Sequence, residues 1–155
     1  MAIPERILRN LENLPCCRVD INRYRNLSIG LGEKVKNNCK DSRVEYYGKW
    51  EIGTYSAAWR IIKGGEFISG SKMLFENTDI ETQGLVPLFE ETLLSITELN
   101  EYDIRLKFSG NLIVDFFNCS SDDEFLHILN TDGSFWVLHF SGQWINGKSP
   151  VRRLR

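Results

Sequence analysis

Four segments of the chain share one design: a short apolar run, a glycine-bearing turn, then a second apolar run. They are NLSIGLGEKV (26–35), AWRIIKGGEFISGS (58–71), YDIRLKFSGNLIVDFF (102–117) and SFWVLHFSGQWING (134–147). Glycine enters φ > 0 without a Cβ clash, and tight hairpin turns need such a residue. Each segment therefore reads as a β-hairpin. Asp132-Gly133, set between apolar runs, adds another strong hairpin signal. The pattern predicts a mostly antiparallel β protein.

The rest of the chain fits around these hairpins. Ile7, Leu8, Leu11 and Leu14 recur at helical spacing across PERILRNLEN (4–13), with Pro4 suited to a first turn and Pro15 ending the pattern. CCRVDINRY (16–24) alternates like a strand. KNNCKDSRV (36–44) is a polar loop, and Gly48 and Gly53 in the β-prone stretch 45–62 mark bends or bulges. KMLFENTDIETQ (72–83) reads as the most acidic loop. LVPLFEETL (85–93) suits a helical turn or two, and a strand from about residue 93 fits the β-branched alternation equally well. In the 102–117 hairpin, alternation puts Ile104, Leu106, Phe108, Leu112, Val114 and Phe116 on one inward face. The expected architecture is a single α+β domain dominated by an antiparallel sheet of roughly eight to ten strands. It curls into a sandwich or half-barrel, with a short N-terminal helix (1–14), a β-rich body (16–147) and a basic tail (148–155).

Composition narrows the functional classes. The 155 residues suit one ordinary domain, with 42% hydrophobic and 26% charged residues. A net charge of −2 argues against general binding to a phosphate backbone. The N-terminus lacks the pattern of a signal peptide, and no apolar run approaches the ~18 residues of a membrane span, so a cytoplasmic setting is expected. Cys16, Cys17, Cys39 and Cys119 show no CxxC spacing, and the histidines are His127 and His139. Neither a metal nor another cofactor is expected, and the thiols are expected to be reduced.

Candidate chemistry is sparse. Glu90-Glu91 and Asp122-Asp123-Glu124 are carboxylate groups, but adjacent acids on a turn seldom acquire the separated pKa values of an acid–base pair. His127 and His139 lie within strand-like runs and read as ordinary sheet residues. The serines lack a nucleophile elbow, and Gly64-Gly65 and Gly70 belong to a hairpin rather than to a phosphate loop. Trp50, Trp59, Trp136 and Trp144, with Tyr46, Tyr47 and Tyr55, can form a base-stacking platform only beside a basic groove. The basic residues are scattered, apart from Arg152, Arg153 and Arg155 in the tail, so core packing accounts better for the rings.

The order of elements from about 44 to 145 resembles a family of small bacterial β-rich domains. Trp59-Arg60-Ile61 leads through Gly64-Gly65 to Gly70-Ser71; Asp103 to Phe108, Gly110 and Leu112 to Phe116 then form a hairpin; Phe125 to Gly133 closes the pattern. Such domains are similar to immunity proteins of bacterial polymorphic toxin systems, including contact-dependent growth inhibition. The resemblance implies a cytoplasmic, non-enzymatic protein that binds a cognate toxin domain and blocks it, without a membrane or direct nucleic-acid partner. It carries no residue roles. The departures are a turn on Ser109-Gly110 in place of an Asp-Gly pair, and an unmatched N-terminal 40 residues. Complementary charge favours acidic residues against a basic toxin face, which makes Glu76, Asp79, Glu81, Asp122, Asp123 and Glu124 the candidate partner-binding residues. Exposed aromatics such as Tyr46, Tyr47 and Trp144 are the alternative contact. A β domain holding a small molecule in its curl is the runner-up function, and an enzyme of unknown class a distant third.

Overall fold

Local patterning becomes structure first at the hairpins. The computed structural model describes residues 2–54, 58–73, 77–100, 102–119 and 124–149. Strands β4 (Ala58–Lys63) and β5 (Glu66–Gly70) are joined by Gly64 and Gly65, both at positive φ, as a two-residue turn matched to strand twist requires. Strands β7 (Ile104–Phe108) and β8 (Leu112–Phe117) turn through Gly110 and Asn111. The Asp132-Gly133 turn links β9 (Glu124–Asn130) to β10 (Ser134–His139), which pairs with β11 (Trp144–Lys148). The first predicted hairpin is different. Residues 27–36 form one continuous strand, β2 (Leu27–Lys36), and Gly32 at φ 84° opens a bulge within it rather than a turn. Its antiparallel partners are β1 (Cys16–Ile21) and β3 (Tyr46–Gly53).

The eleven described strands form two sheets, one of order β1-β2-β3-β9-β10-β11 and one of order β5-β4-β8-β7-β6, where β6 is Leu93–Glu98. The fold is therefore predominantly antiparallel β with an N-terminal helix, as expected, although it divides into two sheets. In the six-stranded sheet Val19, Ile29, Ile52 and Ile128 stand in register and face the core. In the five-stranded sheet Ile61, Val114, Leu106 and Ile96 do the same. Apolar residues of both sheets join one buried cluster that includes Trp59, Phe89, Phe108 and Phe116.

Among the described residues two α-helices accompany the sheets. Helix α1 (Glu5–Leu11) buries Ile7 and Leu11, within the predicted 4–13. Helix α2 (Thr78–Leu85) replaces the predicted acidic loop. Asn77 caps it, accepting hydrogen bonds from the backbone N–H groups of Asp79 and Ile80. A 3₁₀ turn (Val86–Phe89) follows, with Pro87 in its first turn. One seam between the sheets is stitched by backbone hydrogen bonds. Asn13 donates to Leu93 O at 2.7 Å, Leu93 donates to Leu14 O at 2.9 Å, and Cys16 donates to Glu91 O at 2.8 Å. The result is a sandwich joined along one side and not a closed barrel.

The 102–117 hairpin lies at the centre of its sheet, and its six predicted inward residues are at most 1% exposed. Phe108 meets Phe89 edge to face at 5.9 Å. Phe108→Ala should therefore cost about 3–5 kcal/mol, the range for an emptied aromatic core site. Urea denaturation measures it, and a loss below about 1 kcal/mol would contradict this packing.

Candidate functional site

Among the described residues three carboxylates are buried, and each is held by arginine. The first is Glu81 on α2. Arg25, in the turn between β1 and β2, donates to both its oxygens at 2.8 and 3.0 Å, and the Ser69 hydroxyl of β5 donates a third bond. Arg25 also donates to Gly70 O, while its own carbonyl accepts from Trp59 Nε1 at 2.8 Å. Burial pushes the Glu81 carboxyl up, but the bonds from Arg25 and Ser69, with the Arg25 charge, hold it below the usual carboxylate range. Glu81, one of the candidate partner-binding acids, is thus a structural pin with its side chain 4% exposed.

The second is Glu51, on the outer face of the six-stranded sheet. Arg18, Gly30 and Glu51 stand side by side across β1, β2 and β3. Gly30 has no Cβ, which leaves the space that the Glu51 carboxylate and Arg18 Cβ fill. Arg18 donates to Glu51, and the Gly48 N–H adds a bond of 2.8 Å. Here desolvation wins over Arg18 and Gly48, and the carboxyl is raised. Arg18 also lies over the Tyr47 ring at 5.1 Å and beside Asp20, which Arg43 grips with two bonds. A cleft of about 270 Å³ opens here, lined by Cys17, Arg18, Asp20, Lys34 and Tyr46 among others.

The third is Asp115, fully buried on the outer face of the five-stranded sheet. Its neighbours in register are Arg60 on β4 and Arg105 on β7. Arg105 engages both oxygens at 2.7 and 3.0 Å, and Arg60 Nε adds a bond of 2.8 Å. The Arg60 guanidinium also lies over the Phe117 ring at 5.1 Å. The next row holds Lys107, Ile113, Ile62 and Phe67. Among the described residues, helix α2 packs on β1 and the 3₁₀ turn, and α1 against β6, rather than on this face. Phe67 is 57% exposed, Lys107 is exposed, and Ile62 and Ile113 are half-buried.

A surface groove of about 600 Å³ runs between α1, the β2 bulge and the β9–β10 turn, with half-buried Trp50, Lys49 and Asp132 in its lining. The remaining expectations scatter. Asp79 is exposed and 3.8 Å from Arg43. Glu124 opens β9 in register with His139. Glu76, Asp122, Asp123 and Tyr55 lie outside the described residues, as does the tail from 150. Among the described candidates, Asp79 and Glu81 lie on α2 and Glu124 at the start of β9. Tyr46 is exposed, but Tyr47 is buried beneath Arg18, which removes it from the alternative contact. Trp59 is core, as expected, and Trp50, Trp136 and Trp144 pack against it from the rim. Glu91 accepts from the Ser109 hydroxyl and Lys63, which hold its carboxyl low. Among the described residues no group of three or more His, Cys, Asp and Glu can hold a metal, and no helix is long and apolar enough to cross a membrane. Comparison with known families, curated proteins and solved structures finds no match to this chain.

Two outcomes follow from these environments. Glu81→Gln should destabilise the protein by about 3 kcal/mol at pH 7, because Arg25 loses its charge partner. A depressed carboxyl stabilises above its unfolded pKa of about 4.3 and loses that effect as pH falls through the folded value. The gap between wild type and variant should therefore close in acid, which denaturation at several pH values reads. The four cysteines are free thiols, and Cys39 and Cys119 are exposed. Burial pushes the Cys16 thiol up to about 12 and raises Cys17 as well. Alkylation of the native protein, followed by peptide mass mapping, should label Cys39 and Cys119 first and Cys16 last.

Proposed function

We propose that the chain is an immunity protein, a cytoplasmic binding domain that neutralises a cognate toxin domain by covering its active or substrate-binding surface. The observation that carries the reading is the open outer face of the five-stranded sheet. Isolated exposed apolar residues are ordinary, but an apolar patch rimmed by charged side chains marks an interaction surface. Phe67, Ile62 and Ile113 form such a patch beside Arg60, Arg105 and Lys107. The resemblance in the Trp59-Arg60-Ile61 strand and the 102–117 hairpin falls on this same sheet.

The carboxylates support binding over catalysis. Glu51 and Glu81 are shifted in opposite directions, which is how an acid–base pair is made. Yet they sit in separate clusters, each committed to its own arginine. The small-molecule alternative draws less support. Trp59, Phe108, Phe116 and their aliphatic neighbours pack in one buried cluster shared by both sheets, and the two clefts described above lie at the surface.

The test is genetic and biochemical together. Expression of the chain should restore growth to cells producing the toxin domain encoded beside its gene. A catalytically inactive form of that domain should co-purify with the chain at one-to-one stoichiometry. Absence of both protection and complex would overturn the proposal.

A further inference from the structure

The Asp115 cluster holds more positive charge than burial of its carboxylate requires. Arg105 alone satisfies both oxygens with paired bonds. Arg60 brings a second guanidinium, yet only its Nε meets Asp115. Nη1 and Nη2 of Arg60 and Nη1 of Arg105 have no acceptor in the chain among the described residues. Both guanidinium groups are nevertheless fixed in place, Arg105 by its two bonds and Arg60 by Asp115 below and the Phe117 ring beside it. Their side chains remain 40% and 31% exposed. A planar cation fork whose orientation is already set loses little freedom when it binds an oxyanion.

We infer that Arg60 and Arg105 form a receptor for a carboxylate of the partner, and that the partner docks an acidic, apolar-centred protein surface on this face. Lys107 adds a third cation in the adjoining row. Phe67 is the neighbouring ledge: its ring lies over Gly70, the register partner of Arg60, 3.3 Å from where a Cβ would stand. Ile62 and Ile113 continue the ledge towards Lys107. A carboxylate on the arginines with an apolar side chain on Phe67 and Ile62 would dry the contact and strengthen the charge pairing. A nucleic acid would leave the apolar ledge uncovered, and its phosphates would meet a chain of net charge −2. This inference rests on the immunity reading for the identity of the partner and reverses the charge sense expected of the interface. The chain supplies the cations here, and the partner supplies the acid.

The experiment measures binding of the inactive toxin domain encoded beside the gene to wild type, Arg60→Gln, Arg60→Lys and Lys107→Glu. Arg60→Gln leaves Arg105 on both Asp115 oxygens, and Lys107 is exposed, so thermal melting should show all variants folded. Arg60→Gln should weaken binding about tenfold, and Lys107→Glu should slow association with an effect that shrinks as salt rises. Arg60→Lys should recover only part of the loss, because it keeps the charge without the fork. Wild-type binding by both Arg60→Gln and Lys107→Glu overturns the inference and leaves the immunity reading intact. If wild type itself does not bind the toxin, the immunity reading falls. A second arm then decides the face: the Nε–H resonances of Arg60 and Arg105 followed by NMR during titration with a Glu- and Leu-containing peptide, or with a single-stranded DNA oligonucleotide. Shifts at both arginines with the peptide support the receptor. Shifts with the oligonucleotide alone, or with neither probe, overturn it.

Discussion

Each buried carboxylate among the described residues is in the grip of arginine, and much of the architecture hangs on that constraint. Ionised groups taken out of water cost several kcal/mol each even after relaxation, and a cation with good geometry must offset it. Glu81 and Arg25 lie 56 residues apart in sequence, and Glu51 and Arg18 lie 33 apart. Each pair therefore fastens segments that hydrophobic patterning alone leaves free to slide. The Arg25–Glu81 clamp reaches furthest. It joins α2, the β1–β2 turn and β5, and through its carbonyl it fixes the indole of Trp59, one of the largest fully buried side chains. Because Trp59 sits in the cluster shared by both sheets, the clamp also sets how one end of the five-stranded sheet meets the six-stranded one.

The parts of the fold written in a short window were legible in the sequence. Period-2 alternation from Ile104 to Phe116 placed six core residues, and the glycine turns at Gly64-Gly65, Gly110 and Gly133 placed their hairpins. The errors come from interactions longer than any window. Gly32 looks like a turn glycine, but its strand continues because Lys34 and Val35 find new partners, Gly48 and Tyr47, beyond the bulge. Helix α2 carries little apolar periodicity, and the capping Asn77 was its one local sign. Glu81 looked solvated because the stretch around it reads as an acidic loop. What draws it inward is Arg25, which no local pattern connects to it. Asp115 was hidden for the same reason. It stands between the inward Val114 and Phe116 on the outer face, where two arginines on neighbouring strands flank it.

The two outer faces answer the same problem differently. On the six-stranded sheet, side chains lie down over glycines. Glu51 covers Gly30, His127 covers Gly53 and Phe135 covers Gly147. The arginine–carboxylate network there turns inward: Arg18 serves Glu51 and Asp20, and Arg43 serves Asp20 as well. On the five-stranded sheet one buried carboxylate meets two guanidinium groups, with the surplus charge facing out beside an uncovered apolar row.

That contrast separates an ion pair that holds the fold from one that also equips a surface. A pair that only neutralises a buried acid is complete with one bidentate arginine, as Arg25 is for Glu81. Asp115 is already complete with Arg105, so the work of Arg60 lies elsewhere. Stacked on Phe117 and tethered through Nε, it presents its remaining nitrogens in a fixed plane next to Phe67. Strand pairing across β5-β4-β8-β7 holds these groups on a rigid scaffold, and preorganisation of that kind lowers the entropic cost of recognition. The buried acid thus does two jobs: it anchors the centre of the sheet, and it orients the two guanidinium groups that stand on the outer face.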